Sequence, residues 1–367
     1  MNVKLLQISS DDFRKLRSKI KYNFVIGNYY NNAYAESLDD SWSRKAKAIN
    51  SCTKYWDIDN YVNQEVRDVL HVSTCRDRFC EYCMAKKAKQ RYVTFAPLLD
   101  LFAEDYSMYH VTFTVPNCSG SSLRMVLDRM YVKFPYLVRY LSGRSGVRGI
   151  DFAQYGYAGC IRSLEITTSM IDGELTFHPH FHCIFLLKKG LRLKKDKLNK
   201  FSFSNLSSKV RAFSEFEILL QKIWYLLNNT IKVNYKNIQK LTVGYSGVCE
   251  KIKPGEYHEV FKYTLKDSTT VIRYSEDAFW YLYRALLHRR AIQGYGCLYN
   301  FDFEADLDNE EAEDLYLETV RRLSLLEDPH RMCDTIDEVQ HNMSNSTNVI
   351  YISKKSIREG LRLDEKL

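Results

Sequence analysis

Apolar and polar residues alternate through His110-Val111-Thr112-Phe113-Thr114-Val115, with Val111, Phe113 and Val115 on one side and Thr112 and Thr114 on the other, before Pro116 ends the run. A period of two marks a half-buried strand. Two longer strands are predicted from Gly159 to Ile171 and from Glu174 to Lys188. Between them lies Asp172-Gly173, a dipeptide favoured in two-residue hairpin turns because both central residues take positive φ. Elsewhere the period becomes helical: Leu123 to Leu141, residues 213–228 with Phe213, Phe216, Leu220, Ile223 and Leu227 turned inward, and residues 276–293. Near the start, Ser10-Asp11-Asp12 can cap a short helix over Phe13 to Ile20, Asn28 to Asn32 reads as loop, and Ser41 to Ala48 begins another helix. Mixed elements of this kind predict an α+β fold.

The second long strand contains His178-Pro179-His180-Phe181-His182-Cys183. Alternation places the three imidazoles on one face and Phe177, Phe181 and Cys183 on the other. If Asp172-Gly173 is the turn, Ile171 pairs with Glu174, which sets Thr167 opposite His178, Glu165 opposite His180 and Ser163 opposite His182. Directly opposed side chains have Cβ atoms roughly 5 Å apart. Two imidazoles and one carboxylate can then share a divalent cation, and open positions beside them suit Mg²⁺ or Mn²⁺ in phosphate chemistry. The plainer alternative is a half-buried strand with solvated histidines.

Charge and cysteine content change this picture. The net charge is +8, yet residues 301–330, which read as an acidic helical segment, hold eleven Asp or Glu against two Arg. The remainder is therefore basic enough to seek a polyanion such as nucleic acid. No secretory signal opens the chain and no run of eighteen apolar residues follows, so a cytoplasmic protein with no membrane partner is expected. Ten cysteines in a reducing compartment point to metal rather than disulfides where they cluster. Cys75, Cys80 and Cys83 cluster, and Cys52 stands ready as a fourth ligand for a structural Zn²⁺. Buried free thiols are the alternative, which the polar neighbours Arg76, Asp77, Arg78 and Glu81 make awkward.

Cations recur near these sites. Lys86, Lys87, Lys89 and Arg91 follow the last thiol on a helix expected to start near Tyr82. Lys188, Lys189, Arg192, Lys194, Lys195, Lys197 and Lys200 follow the histidine strand. Either group could ride on phosphates or simply face solvent. In Tyr257-His258-Glu259-Val260-Phe261-Lys262-Tyr263-Thr264-Leu265-Lys266, read as a helix, Glu259 and Tyr263 share one face and Lys262 and Lys266 form a second pair. A tyrosine hydroxyl, with its ordinary pKa of about 10, can attack a phosphodiester when a metal and nearby cations hold the phosphate. The organisation read from these features is an N-terminal basic, tyrosine-rich segment (1–50), a Cys-rich zinc module (51–104), a main domain (105–300) and an acidic C-terminal segment with its tail (301–367).

In this order and spacing, HVTFTVPN, HPHFHCIF and EVFKYTLKD resemble the three motifs of rolling-circle replication initiators of the HUH endonuclease superfamily, in particular the small-plasmid group with one tyrosine and one glutamate in the last motif. The Cys-rich stretch is similar too, and the resemblance spans roughly residues 50–300. It implies an antiparallel sheet flanked by helices, with His180, His182 and Glu165 holding the catalytic metal. Tyr263 would be the nucleophile that nicks single-stranded origin DNA and leaves a 5′-phosphotyrosine, and Glu259 would direct water at termination. Lys262, Lys266, Lys188, Lys189, Lys86 and Lys87 would contact DNA. A host helicase and polymerase are implied as partners, and a homodimer is allowed. The same triplet also serves transposases and relaxases, and a non-catalytic, zinc-containing DNA-binding regulator is the rival from another class. Glu81 departs from the proline found in many relatives, and the acidic segment has no counterpart in the group.

Overall fold

The computed structural model describes residues 7–8, 10–52, 55–61, 66–72, 74–198, 212–242, 244–261, 265–267, 275–299, 325–326 and 349–353. They fall into two compact units, residues 1–90 with 306–367, and residues 91–305. The acidic segment expected at 301–330 lies outside the described residues, apart from a two-residue strand at Leu325–Leu326. Among the described residues no helix is long and apolar enough to cross a membrane.

In the first unit, α1 (Ser10–Ser37) and α2 (Asp40–Ser51) form a helical hairpin. The expected loop at Asn28 to Asn32 is instead the middle of α1. Tyr22, Ile26, Tyr29 and Tyr30 recur at helical spacing and are buried, as are Ala46 and Ile49 of α2, and that apolar stripe outweighs the weak helix propensity of the asparagines. Leu38, at φ 56°, makes the turn, and the Asp39 carboxylate accepts a hydrogen bond from the Ser41 amide at 2.9 Å to cap α2. Strands β1 (Tyr55–Tyr61) and β2 (Val66–Val72) pair antiparallel, and Val349–Ser353 adds antiparallel to the other side of β1.

Helix α3 (Glu81–Asp105) begins in the Cys-rich stretch and from Arg91 on belongs to the second unit. That unit is built on a seven-stranded sheet. Its principal strands are β3 (Tyr106–Thr114), β4 (Gly159–Ile171), β5 (Glu174–Lys188), β6 (Gly247–Lys251), β7 (Leu265–Asp267) and β8 (Ile292–Gly296), and the seventh is the short pair Cys118–Ser119. The order is β6-β3-β5-β4, after which the free edge of β4 is shared. β8 pairs antiparallel with Gly159 to Ser163, and β7 pairs parallel with Ile166 to Thr168. The helices are α4 (Gly120–Leu141), α5 (Glu215–Asn228), α6 (Tyr235–Lys240), α7 (His258–Phe261) and α8 (Glu276–Leu286). The architecture is α+β, a largely antiparallel sheet flanked by helices.

Two expected helices end early, for one reason. The helix predicted over 276–293 stops at Leu286, His288 turns the chain at φ 58°, and Ile292 enters β8. The helix read through Glu259 to Lys266 is the single turn α7, and Leu265–Asp267 is strand. Lys266 is therefore not the helical partner of Lys262. In both places the unpaired backbone groups along β4 find hydrogen-bond partners in the arriving segment, a requirement that local periodicity does not report.

Each sheet face has its own cover. On one, Phe113 and Phe181 meet Phe134 of α4 and Trp224 of α5, and Phe185 meets Phe113, with ring centroids 5.4 to 6.3 Å apart. The expected inward stripe of α5 is buried, although Phe213 precedes the helix, whose N-cap is Ser214. On the other face Met108, Ile161, Ile184 and Leu186 pack under Phe95 and Leu99 of α3 and Val260 and Phe261 of α7. Farther along the same rows, that face turns polar.

Candidate metal centre and active site

The polar end of this face is fixed by the β4–β5 hairpin. Asp172 and Gly173 both have positive φ, 51° and 81°, as a two-residue turn requires. The register follows from it: Ile171 pairs with Glu174, Thr167 with His178, Glu165 with His180 and Ser163 with His182, each as predicted.

His180 Nε2 lies 2.8 Å and His182 Nε2 2.5 Å from the same oxygen, Oε2 of Glu165. All three residues are at least nine-tenths buried. Burial alone would raise the Glu165 pKa, but hydrogen bonds from His180 and His182 outweigh it and hold the carboxyl well below the ordinary range. The outer ring nitrogens have partners of their own. Nδ1 of His180 is 3.1 Å from the carbonyl oxygen of His178, which can only accept, so this nitrogen carries the proton. A proton on Nδ1 leaves Nε2, which faces the carboxylate oxygen, as the nitrogen that would ligate a metal. The donor set of two imidazoles and one carboxylate fits a divalent ion. His178 stays outside the cluster, its ring centroid 5.3 Å from that of His180. Burial, then the charge of His180, lowers its pKa.

Sequence reasoning missed His110. On β3 its Nε2 lies 2.9 Å from Nδ1 of His182. The residue was visible in HVTFTVPN, but its position depends on the pairing of β3 with β5, strands separated by α4 and β4, with His110 and His182 72 residues apart.

The segment leading to α7 is clamped to α3. Tyr92 donates to the Gly255 carbonyl at 2.6 Å, the Gly255 amide donates to Asp100 at 3.1 Å, and the Tyr257 hydroxyl also donates to Asp100. Burial and the Asp100 contact push the Tyr257 pKa up. Glu259 is thereby presented on an exposed side of α7 while Val260 and Phe261 are buried. Lys262 and Tyr263 lie outside the described residues, as does the side chain of Lys266, whose backbone pairs with Thr167.

Cys52, Cys75, Cys80 and Cys83 also come together. Sulfurs of Cys52 and Cys83, and of Cys75 and Cys83, are 3.6 Å apart, and those of Cys80 and Cys52 are 3.5 Å apart. Thiolates around a tetrahedral Zn²⁺ at about 2.3 Å would stand about 3.8 Å apart, so the donor set fits zinc. Hydrogen bonds to Cys52 from Cys75 and then from Cys80 and Cys83 favour its thiolate. The α1–α2 hairpin braces this knuckle, a role the sequence did not suggest for residues 1–50. Asn23 Nδ2 donates to the Cys80 sulfur at 3.3 Å and the Tyr30 hydroxyl to Asp77 at 2.9 Å.

Lys188 and Lys189 do not gather at the carboxylate–imidazole cluster. Lys188 pairs with Tyr106 at one end of β3 and His180 with Thr114 at the other, about 26 Å apart along the strand. Lys189 donates to the Ala103 carbonyl at 2.5 Å. Lys195 is 3.3 Å from Glu217 and Lys197 is 3.5 Å from Glu215, so this basic stretch is partly answered by nearby carboxylates. Lys87 is half-buried on α3, and the side chain of Lys86 is outside those described.

Residues 66–201 match the model of a family described as Replication protein. The chain is 24% identical over 288 residues to "Protein rep" of Bacillus amyloliquefaciens, covering 75% of this chain and 77% of the relative. It is also 24% identical over 287 residues to "Protein rep" of Bacillus sp, covering 75% of this chain and 85% of the relative. Over that stretch the chain is similar to replication proteins. The matched part takes in β2, α3, β3, α4, β4 and β5, and with them three of the four clustered cysteines and all of Glu165, His180 and His182. No solved structure matches the chain.

Proposed function

We propose that the protein initiates rolling-circle replication of a plasmid or similar small replicon, as an HUH-type endonuclease that nicks and rejoins one strand of origin DNA. The observation that carries this reading is the convergence of His180 Nε2, His182 Nε2 and Glu165 Oε2, with the outer nitrogens of both rings already engaged. A divalent ion held there, Mg²⁺ or Mn²⁺, would supply charge neutralisation and polarisation of the scissile phosphate.

Tyr263 is the nucleophile. Its oxygen bonds to phosphorus, the bond from phosphorus to the 3′ oxygen breaks, and the phenolic proton is given up as the released 3′ end takes one. The products are a 5′-phosphotyrosine and a free 3′-OH that primes a host polymerase. Attack by a 3′-OH on the phosphotyrosine reverses these bonds and rejoins the strand without ATP. At termination Glu259 directs water onto the scissile DNA phosphodiester and accepts its proton. The water oxygen bonds to phosphorus, the bond to the 3′ oxygen breaks and that oxygen takes a proton, so the final cleavage leaves a 5′-phosphate and a 3′-OH rather than a second adduct. Support comes from chain order: α7, which bears Glu259, packs Val260 and Phe261 on the sheet face that holds the imidazoles, and Leu265, two residues after Tyr263, pairs with Ile166, the neighbour of Glu165. The four cysteines would hold a structural Zn²⁺ with no part in the chemistry.

The test is incubation of the full-length protein with labelled single-stranded origin DNA and Mn²⁺. Wild type cleaves, whereas His180→Ala and His182→Ala bind duplex origin DNA but do not cleave. Loss of binding and cleavage together would give the imidazoles a structural role, and absence of cleavage by wild type would favour a non-catalytic DNA-binding regulator.

A further inference from the structure

We infer that His110 is a positioning residue for the metal centre, acting through His182. The inference rests on the reading that Glu165, His180 and His182 hold a divalent ion. His182 stands at the middle of a row across the sheet, with its Nε2 2.5 Å from Glu165 Oε2 and its Nδ1 2.9 Å from His110 Nε2. The two rings are nearly coplanar, at 4° with centroids 5.1 Å apart, so the contact is edge to edge along the ring plane, as a hydrogen bond requires.

For His182 to ligate through Nε2, Nδ1 must carry the proton, and that proton needs an acceptor. His180 solves this with the His178 carbonyl of its own strand. His182 has Nδ1 turned toward β3 instead, where His110 Nε2 accepts. His110 thereby selects the ligating tautomer of His182 and fixes the direction of its lone pair. Outer partners of this kind typically contribute 10–100-fold in metal affinity. The acceptor is itself held in register, because His110 lies on a strand paired on both sides, opposite Ile184 of β5 and Glu250 of β6.

The test is titration of the full-length protein with Mn²⁺, reading free Mn²⁺ by electron paramagnetic resonance, alongside thermal unfolding of the same samples. Wild type binds an ion that His182→Ala loses. His110→Ala weakens binding by about 10–100-fold with the unfolding temperature of the metal-free protein unchanged. His110→Gln, whose amide oxygen can reach the place of Nε2, recovers most of the affinity. Wild-type affinity in His110→Ala, or equal weakening in the Ala and Gln variants, would overturn the inference. If wild type binds no Mn²⁺ that depends on His182, the metal reading fails and the inference with it.

Discussion

Glu165 and His180 occupy directly opposed positions on two antiparallel strands, and His180 Nε2 meets Glu165 Oε2 at 2.8 Å. The pair is set by a turn seven residues beyond Glu165, so one local signal determines which side chains can share an ion. Replacing Glu165 by Gln keeps the shape and removes the charge. Divalent-ion affinity should fall by more than the roughly 100-fold that loss of an outer partner costs, measured by Mn²⁺ titration, while duplex DNA binding persists. An unchanged affinity would remove Glu165 from the ligand set.

Acidity should report the same carboxyl. Its pKa in the folded protein lies below the unfolded value of about 4.3. The stabilisation it provides is therefore complete above about pH 4.3 and is lost as pH falls through the folded-state value. In urea unfolding, Glu165→Gln should show a shallower loss of stability below about pH 4 than wild type. Parallel pH traces for the two proteins would contradict this.

The turn has its own cost. Gly173 sits at φ 81° and a Cβ there would meet nothing within 4 Å, so Gly173→Ala introduces backbone strain without a clash. The expected loss is about 1 kcal/mol, read as a lower urea midpoint at constant slope. A neutral result would mean that the turn does not hold this conformation in solution.

The hairpin was legible because a two-residue turn and a side-chain period of two leave no freedom of register, so Glu165, His180 and His182 could be placed together from sequence alone. The cysteine cluster was legible from spacing. His110 was not, since the pairing of β3 with β5 spans α4 and β4 and brings together residues 72 apart in sequence. Nor were β7 and β8, where Leu265–Asp267 and the first residues of Ile292–Gly296 continue helical patterns locally but are drawn to the open edge of β4. The buried stripe of α1 shows the same override in the other direction, with Tyr22, Ile26, Tyr29 and Tyr30 helical through packing rather than propensity.

The cysteine knuckle makes a separate prediction. Cys80 is fully buried, and its sulfur meets both Cys52 and the Asn23 amide. Cys80→Ser should release zinc, measured by elemental analysis, and lower the unfolding temperature, because a structural site contributes folding free energy. Full zinc occupancy in that variant would rule out the four-cysteine ligand set.

The central claim is that Tyr263 forms a covalent bond with DNA under the control of the Glu165, His180 and His182 cluster. It is tested most directly by mass spectrometry of full-length protein after incubation with single-stranded origin DNA and Mn²⁺, comparing wild type with Tyr263→Phe. The account predicts a protein–oligonucleotide adduct in wild type, mapped to the peptide that contains Tyr263, and none in Tyr263→Phe. An adduct of equal yield in Tyr263→Phe, or one mapped to another tyrosine, would contradict it.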